Sequence, residues 1–114
     1  FRSSGFPHMS YRYMRMIVLF DLPTETAVQR REYASFRKHL IKSGFMMMQE
    51  SVYCKILLNS SHESAVESGL RASKPSGGLV QVLTVTEKQF AKITYLVGEN
   101  SGQTISGDER FIEL

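Results

Sequence analysis

The chain has one cysteine, three prolines and only two aspartates, and nowhere does it carry a run of about twenty apolar residues. Each shortage excludes something. A lone cysteine, Cys54, cannot close an intrachain disulfide, and its apolar neighbours Val52, Tyr53, Ile56 and Leu57 make it a buried, reduced thiol. Without a long apolar run there is no membrane span, and no charged-then-apolar leader is found, so the expected location is cytoplasmic. Gly77-Gly78 lacks the Lys-Ser/Thr of a phosphate loop and reads as a turn. His39 and His62 have no partner at metal-ligand spacing. At 114 residues the chain makes one domain, with a core sufficient to fold but too small to enclose a deep pocket. Residues 1–8, ending in Pro7-His8, read as an expression remnant before a start at Met9.

What is present begins with Met14 to Pro23, an apolar run that ends on the acid Asp21 and is stopped by proline. A run so short and so bounded is a buried strand, with a carboxylate at its C-terminal lip. The other aspartate, Asp108, lies close to the C-terminus. Thr26 with Gln29 three places on forms a capping box, and Tyr33, Phe36, Leu40 and Ile41 follow with helical spacing until Gly44. Phe45–Met48 and Ser51–Leu58 read as strands joined by a bend at Gln49-Glu50. Ser60 with Glu63 predicts a second capping box and a weaker helix to Arg71. The segment 74–78 is a loop and Leu79–Val85 a strand. Thr86 with Gln89 is a third capping box opening a short turn, and Ile93–Val97 reads as extended again.

This order predicts an α+β, ferredoxin-like βαββαβ sandwich over residues 9–97. A flexible linker at 98–107 and a C-terminal edge strand at 108–114 follow, the strand including Phe111 to Leu114 and able to add to a partner. In such a sandwich the helices cover one sheet face only. The other must be polar, bind something, or be buried against a second copy, and the apolar run Met46-Met47-Met48 favours a homodimer.

The formal net charge is only +3, but five of the fourteen Lys and Arg residues fall between Arg30 and Lys42. Arg30 with Arg37, and Arg31 with Lys38, are seven apart and make two adjacent cationic rows on the first helix. Such rows are either a solvated face or a surface for a polyanion. Phosphate contacts of this kind are independent of sequence and sensitive to salt. Arg12 and Arg15, near Tyr11 and Tyr13, add cations and rings at the start of the first strand.

The elements Phe20-Asp21-Leu22-Pro23, Arg30, Gly44 and Gln49-Glu50-Ser51-Val52-Tyr53 together resemble the Cas-two family, the small adaptation subunit of CRISPR systems. Thr84 to Ala91 is similar to its type II-A branch in particular. The resemblance implies a ferredoxin-like homodimer that bridges two dimers of the Cas-one integrase. In that assembly it holds a short DNA duplex for insertion into a repeat array. It equally implies a divalent-metal-dependent endonuclease of RNA or DNA. There the residue matching Asp21 meets its twofold mate and binds Mg²⁺, one ion per dimer, while those matching Arg30, Arg31 and Tyr53 are associated with substrate. Tyr53 stands where many members carry Phe. From the residues alone Asp21 has a second reading, as the acid that initiates the Pro23 turn. One carboxylate cannot make a magnesium site, whereas two facing copies supply a sparse one.

Overall fold

The computed structural model describes residues 13–99, and the segments proposed as remnant, linker and C-terminal strand lie largely or wholly outside that range, as does Arg12. Four strands form one antiparallel sheet: β1 (Met14–Asp21), β2 (Met46–Gln49), β3 (Val52–Leu57) and β4 (Leu79–Thr86). Their order is β2-β3-β1-β4, so β1 is central and β4 an edge. The helices are α1 (Ala27–Lys42), α2 (Ser60–Ser73) and the single turn α3 (Glu87–Phe90). This is the α+β sandwich expected from the sequence.

Side chains alternate along β1. Met16, Val18 and Phe20 face the two long helices, where they pack with Phe36, Leu40, Phe45, Tyr53, Leu57 and Leu70 in one buried cluster. Phe20 organises it, lying edge-on to Phe36 at 5.3 Å and to Tyr33 at 5.9 Å, and stacked on Tyr53 at 5.8 Å. Each fully buried apolar side chain contributes about 1.5–3 kcal/mol, so this face carries the fold.

The capping boxes at Thr26 and Thr86 are both formed. The one at Ser60 is not: Asn59 caps α2, its side chain accepting from the His62 backbone N–H at 2.8 Å. Asn is as good a cap as Ser, and here it stands one residue earlier, in extended conformation. Ile41, read as part of the buried stripe, is about half exposed, because at about 100° per residue it falls about 140° round the helix from Phe36 and off the Phe36–Leu40 stripe. The bend between β2 and β3 turns at Ser51, which has a positive φ of 68°, and the β2–β3 register shifts between Met47 and Gln49. Ile93–Val97 is not a strand. It leaves the sheet after α3, with Leu96 and Val97 almost fully exposed. With Leu79–Thr86 already occupying the edge, the sandwich is complete without it.

Candidate functional site

Asp21 ends β1 opposite Leu79 of β4 and is exposed. By alternation it shares a face with Arg15, Ile17 and Leu19, the face that α1 and α2 do not cover. Its backbone is fixed from the side by the loop before β4. A Cβ on Gly78, whose φ is +86°, would lie 2.8 Å from both the Asp21 carbonyl oxygen and Leu22 Cδ2, so only glycine lets the two chains approach. The same loop is tied to α1, where the Ser76 hydroxyl donates to both Glu32 carboxylate oxygens at 2.9 and 3.0 Å.

The cations lie on the other side of the molecule. On α1, Arg31, Lys38 and Lys42 fall within about 40° of one another and opposite the Phe36–Leu40 stripe, with roughly 10 Å along the axis between Arg31 and Lys38. All three are exposed. Arg30 is exposed too, but its guanidinium folds back and donates to the Thr24 and Glu25 carbonyls at 3.1 and 3.0 Å, which pins the loop that follows Asp21. Arg37 Nε donates to the Tyr53 hydroxyl at 2.8 Å, which fixes the guanidinium at the edge of the helix layer.

Two of the residues expected to contact nucleic acid are buried within the chain. Tyr53 is 2% exposed, with its ring in the core against Phe20, so it offers no surface for a base to stack on. Its hydroxyl instead orients Arg37. Arg15 is 0% exposed. Its guanidinium meets both carboxylate oxygens of Glu87 (2.5 and 2.9 Å), donates to Cys54 Sγ at 3.3 Å, and lies 4.2 Å over the Phe90 ring. Burial alone would lower the Arg15 pKa, but the hydrogen bonds it donates to Glu87 and Cys54 outweigh that and the net direction is upward. Burial pushes the Cys54 thiol up, with the Arg15 cation opposing, so Cys54 stays protonated and unreactive, the buried thiol expected. Glu87 and Phe90 were not singled out in the sequence. The available signal was β1 alternation, which places Arg15 on the same face as Ile17 and demands a buried counter-charge.

Among the described residues no group of three or more His, Cys, Asp and Glu side chains is placed to hold a metal. The described residues of one chain therefore do not by themselves make a site for Mg²⁺. Asp21 would hold it only with the carboxylate of a second copy and water oxygens, and a bound ion would there supply an acidified water and charge stabilisation at phosphorus. No helix among the described residues is long and apolar enough to cross a membrane.

Residues 14–93 match the family model described as "CRISPR associated protein Cas2". The chain belongs to the Cas2 family. It is 48% identical over 101 residues to a Treponema denticola protein named "CRISPR-associated endoribonuclease Cas2", which covers 89% of this chain and 100% of that relative. It is also 48% identical over 101 residues to a Streptococcus mutans protein of the same name, with 89% of this chain and 93% of the relative covered. A solved structure described as "Crystal structure of cas2" superposes with a TM-score of 0.55 at 20% identity, over 77% of this chain and 90% of that one. At that identity it supports the Cas2 fold alone.

Proposed function

We propose that this Cas2 chain works as a twofold dimer at the centre of the CRISPR spacer-acquisition complex. In this reading the cations of α1 hold duplex DNA by its phosphates, and the dimer spaces two dimers of the Cas-one integrase. The observation that carries the reading is the division of the sheet. One face packs the core against the protein's own helices, while the other leaves Leu79, opposite Asp21, and Leu83, opposite Ile17, each 54% exposed. An apolar sheet face of this kind is what a second copy buries. Phosphates would be met on the outer side, by Arg31, Lys38 and Lys42, with Arg37 held in place by Tyr53. Such contacts carry no base preference, as suits a protein that must accept any captured duplex.

The test is spacer integration reconstituted with the partner integrase, comparing native protein with Asp21→Asn after both are shown to be dimers. Integration that survives the substitution supports the scaffold. Integration that fails while the dimer and its DNA binding persist moves the reaction to Asp21.

The second reading is a metal-dependent endonuclease, favoured by the names of the 48%-identical relatives and by the accessible carboxylate of Asp21. It predicts RNA or DNA cleavage by the purified dimer alone, dependent on Mg²⁺ and lost in Asp21→Asn. Absence of cleavage under those conditions removes it.

A further inference from the structure

We infer that Arg15, Glu87 and Phe90 are positioning residues that form a stop on the open sheet face, setting how far a second copy can slide across it. The inference rests on the dimer reading above. It concerns the register of that dimer, which fixes where the two Asp21 carboxylates stand relative to each other.

Arg15 and Asp21 share this face, six residues and about 20 Å apart. Burial within a single chain differs sharply between the two ends. At the Arg15 end, Arg15 and Cys54 are 0% exposed and Phe90 5%, because α3 folds down over them. Beyond it Leu83, opposite Ile17, and Leu79, opposite Asp21, stand half exposed, and Asp21 is open. The cover is bolted in place. Glu87 grips both sides of the guanidinium fork, Phe90 lies beneath it, the Glu87 N–H donates to the Tyr13 carbonyl at 3.2 Å, and the Thr86 capping box starts the turn.

Packing alone does not require a charge here. Desolvating an ion pair is costly, and apolar side chains of similar volume cover a sheet as well or better. What the fork adds is direction, since a bidentate pair holds α3 at one place and angle. A twofold interface is self-complementary, so its axis passes through the middle of the patch it buries, which in this proposal is the uncovered area of the face. With α3 seated, that area runs from Ile17 to Asp21 and is flanked by Leu83 and Leu79. The axis therefore falls toward the Asp21 end. With α3 displaced, the uncovered area lengthens toward Arg15, the axis moves with it, and the two Asp21 residues separate.

The experiment places a spin label at Ser35→Cys, exposed on α1 and away from this face, and measures the label-to-label distance across the dimer. The full chain is compared with Glu87→Ala and Phe90→Ala, with sedimentation confirming the dimer and amide exchange at 87–90 confirming that α3 has loosened. One narrow distance is expected in the native protein and a shifted or broadened one in both variants. A double variant, Arg15→Met with Glu87→Leu, keeps the bulk of the plug without the charge. It serves if the single variants fail to fold, and a protected α3 with the native distance restored is expected. Unchanged distances in variants with a loosened α3 overturn the stop while leaving the dimer standing, as does a shifted distance in the double variant when α3 remains protected. A native chain that sediments as a monomer overturns both.

Discussion

The two faces of the sheet are made from alternate residues of the same strands, yet they solve burial differently. The helix-side face is closed over its central strands by Phe36 and Leu40 of α1 and Leu70 of α2, and stays partly open only at the edges, at Val82 and Met47. The open face is closed at one end by a four-residue turn anchored through a partly buried ion pair, and the rest is left uncovered, with Leu79 and Leu83 exposed among the polar Gln81 and Asp21. One face holds the fold, and the other is the one the proposed dimer would bury. Substitutions on the first should therefore register in stability, and substitutions on the second in assembly.

The largest expected effect lies on the closed face. Phe36→Ala removes a 1%-exposed ring from contact with Phe20, and should cost about 3–5 kcal/mol in urea unfolding. Glu87→Ala is next, at about 3 kcal/mol, because it strips a buried guanidinium of its carboxylate. An equal loss from an exposed pair such as Arg71–Glu67 would contradict this ranking, since Glu67→Ala should cost about 0.5 kcal/mol or less. Gly78→Ala should cost about 1–2 kcal/mol from its left-handed backbone, and the added Cβ pushes directly on the Asp21 carbonyl. It should therefore disturb the Asp21 lip more than an equally destabilising core change, which backbone amide shifts at residues 21–23 would reveal.

The smallest effect is a dependence on pH. The Cys54 pKa is raised in the folded chain, so the folded state holds its thiol proton more tightly than the unfolded state does. That stabilisation is complete below the unfolded thiol value of about 8.5 and is lost as pH climbs through the raised folded value. Unfolding curves of native protein should weaken above that pH more steeply than those of Cys54→Ala. Parallel pH profiles would contradict it. Arg15, raised from an already high value, contributes no slope in the range where the protein is handled.

Which features were legible from sequence follows the same division. Local signals served well. The caps at Thr26 and Thr86, the helix end at Gly44 and the strand ending at Asp21 each depend on residues a few places apart. Pairings across the fold were not legible. Arg15 looked like a surface cation because its counter-charge, Glu87, stands 72 residues away. Tyr53 carried the family pattern, but nothing local shows that its ring faces the helices while its hydroxyl reaches Arg37, 16 residues earlier. The tie between Ser76 and Glu32, 44 residues apart, was invisible for the same reason. Arg30 and Arg37 were legible as cations, but not as cations whose hydrogen bonds partly serve the protein's own backbone and core.

The outer face of α1 offers its own comparison. Removing Arg31, Lys38 or Lys42 by alanine should weaken duplex binding for every sequence alike and reduce the salt slope by about 0.9 per lost phosphate contact. Tyr53→Phe should act only indirectly, by freeing Arg37, and change the slope less.

The central claim is that the open face is an interface between two copies, and sedimentation of native protein beside Leu83→Lys tests it most directly. Leu83 is half exposed on that face and absent from the closed core, so the substitution should leave unfolding nearly unchanged. A native dimer that becomes a folded monomer in Leu83→Lys is the predicted result. A dimer equally strong in both proteins would place the interface elsewhere and contradict the account.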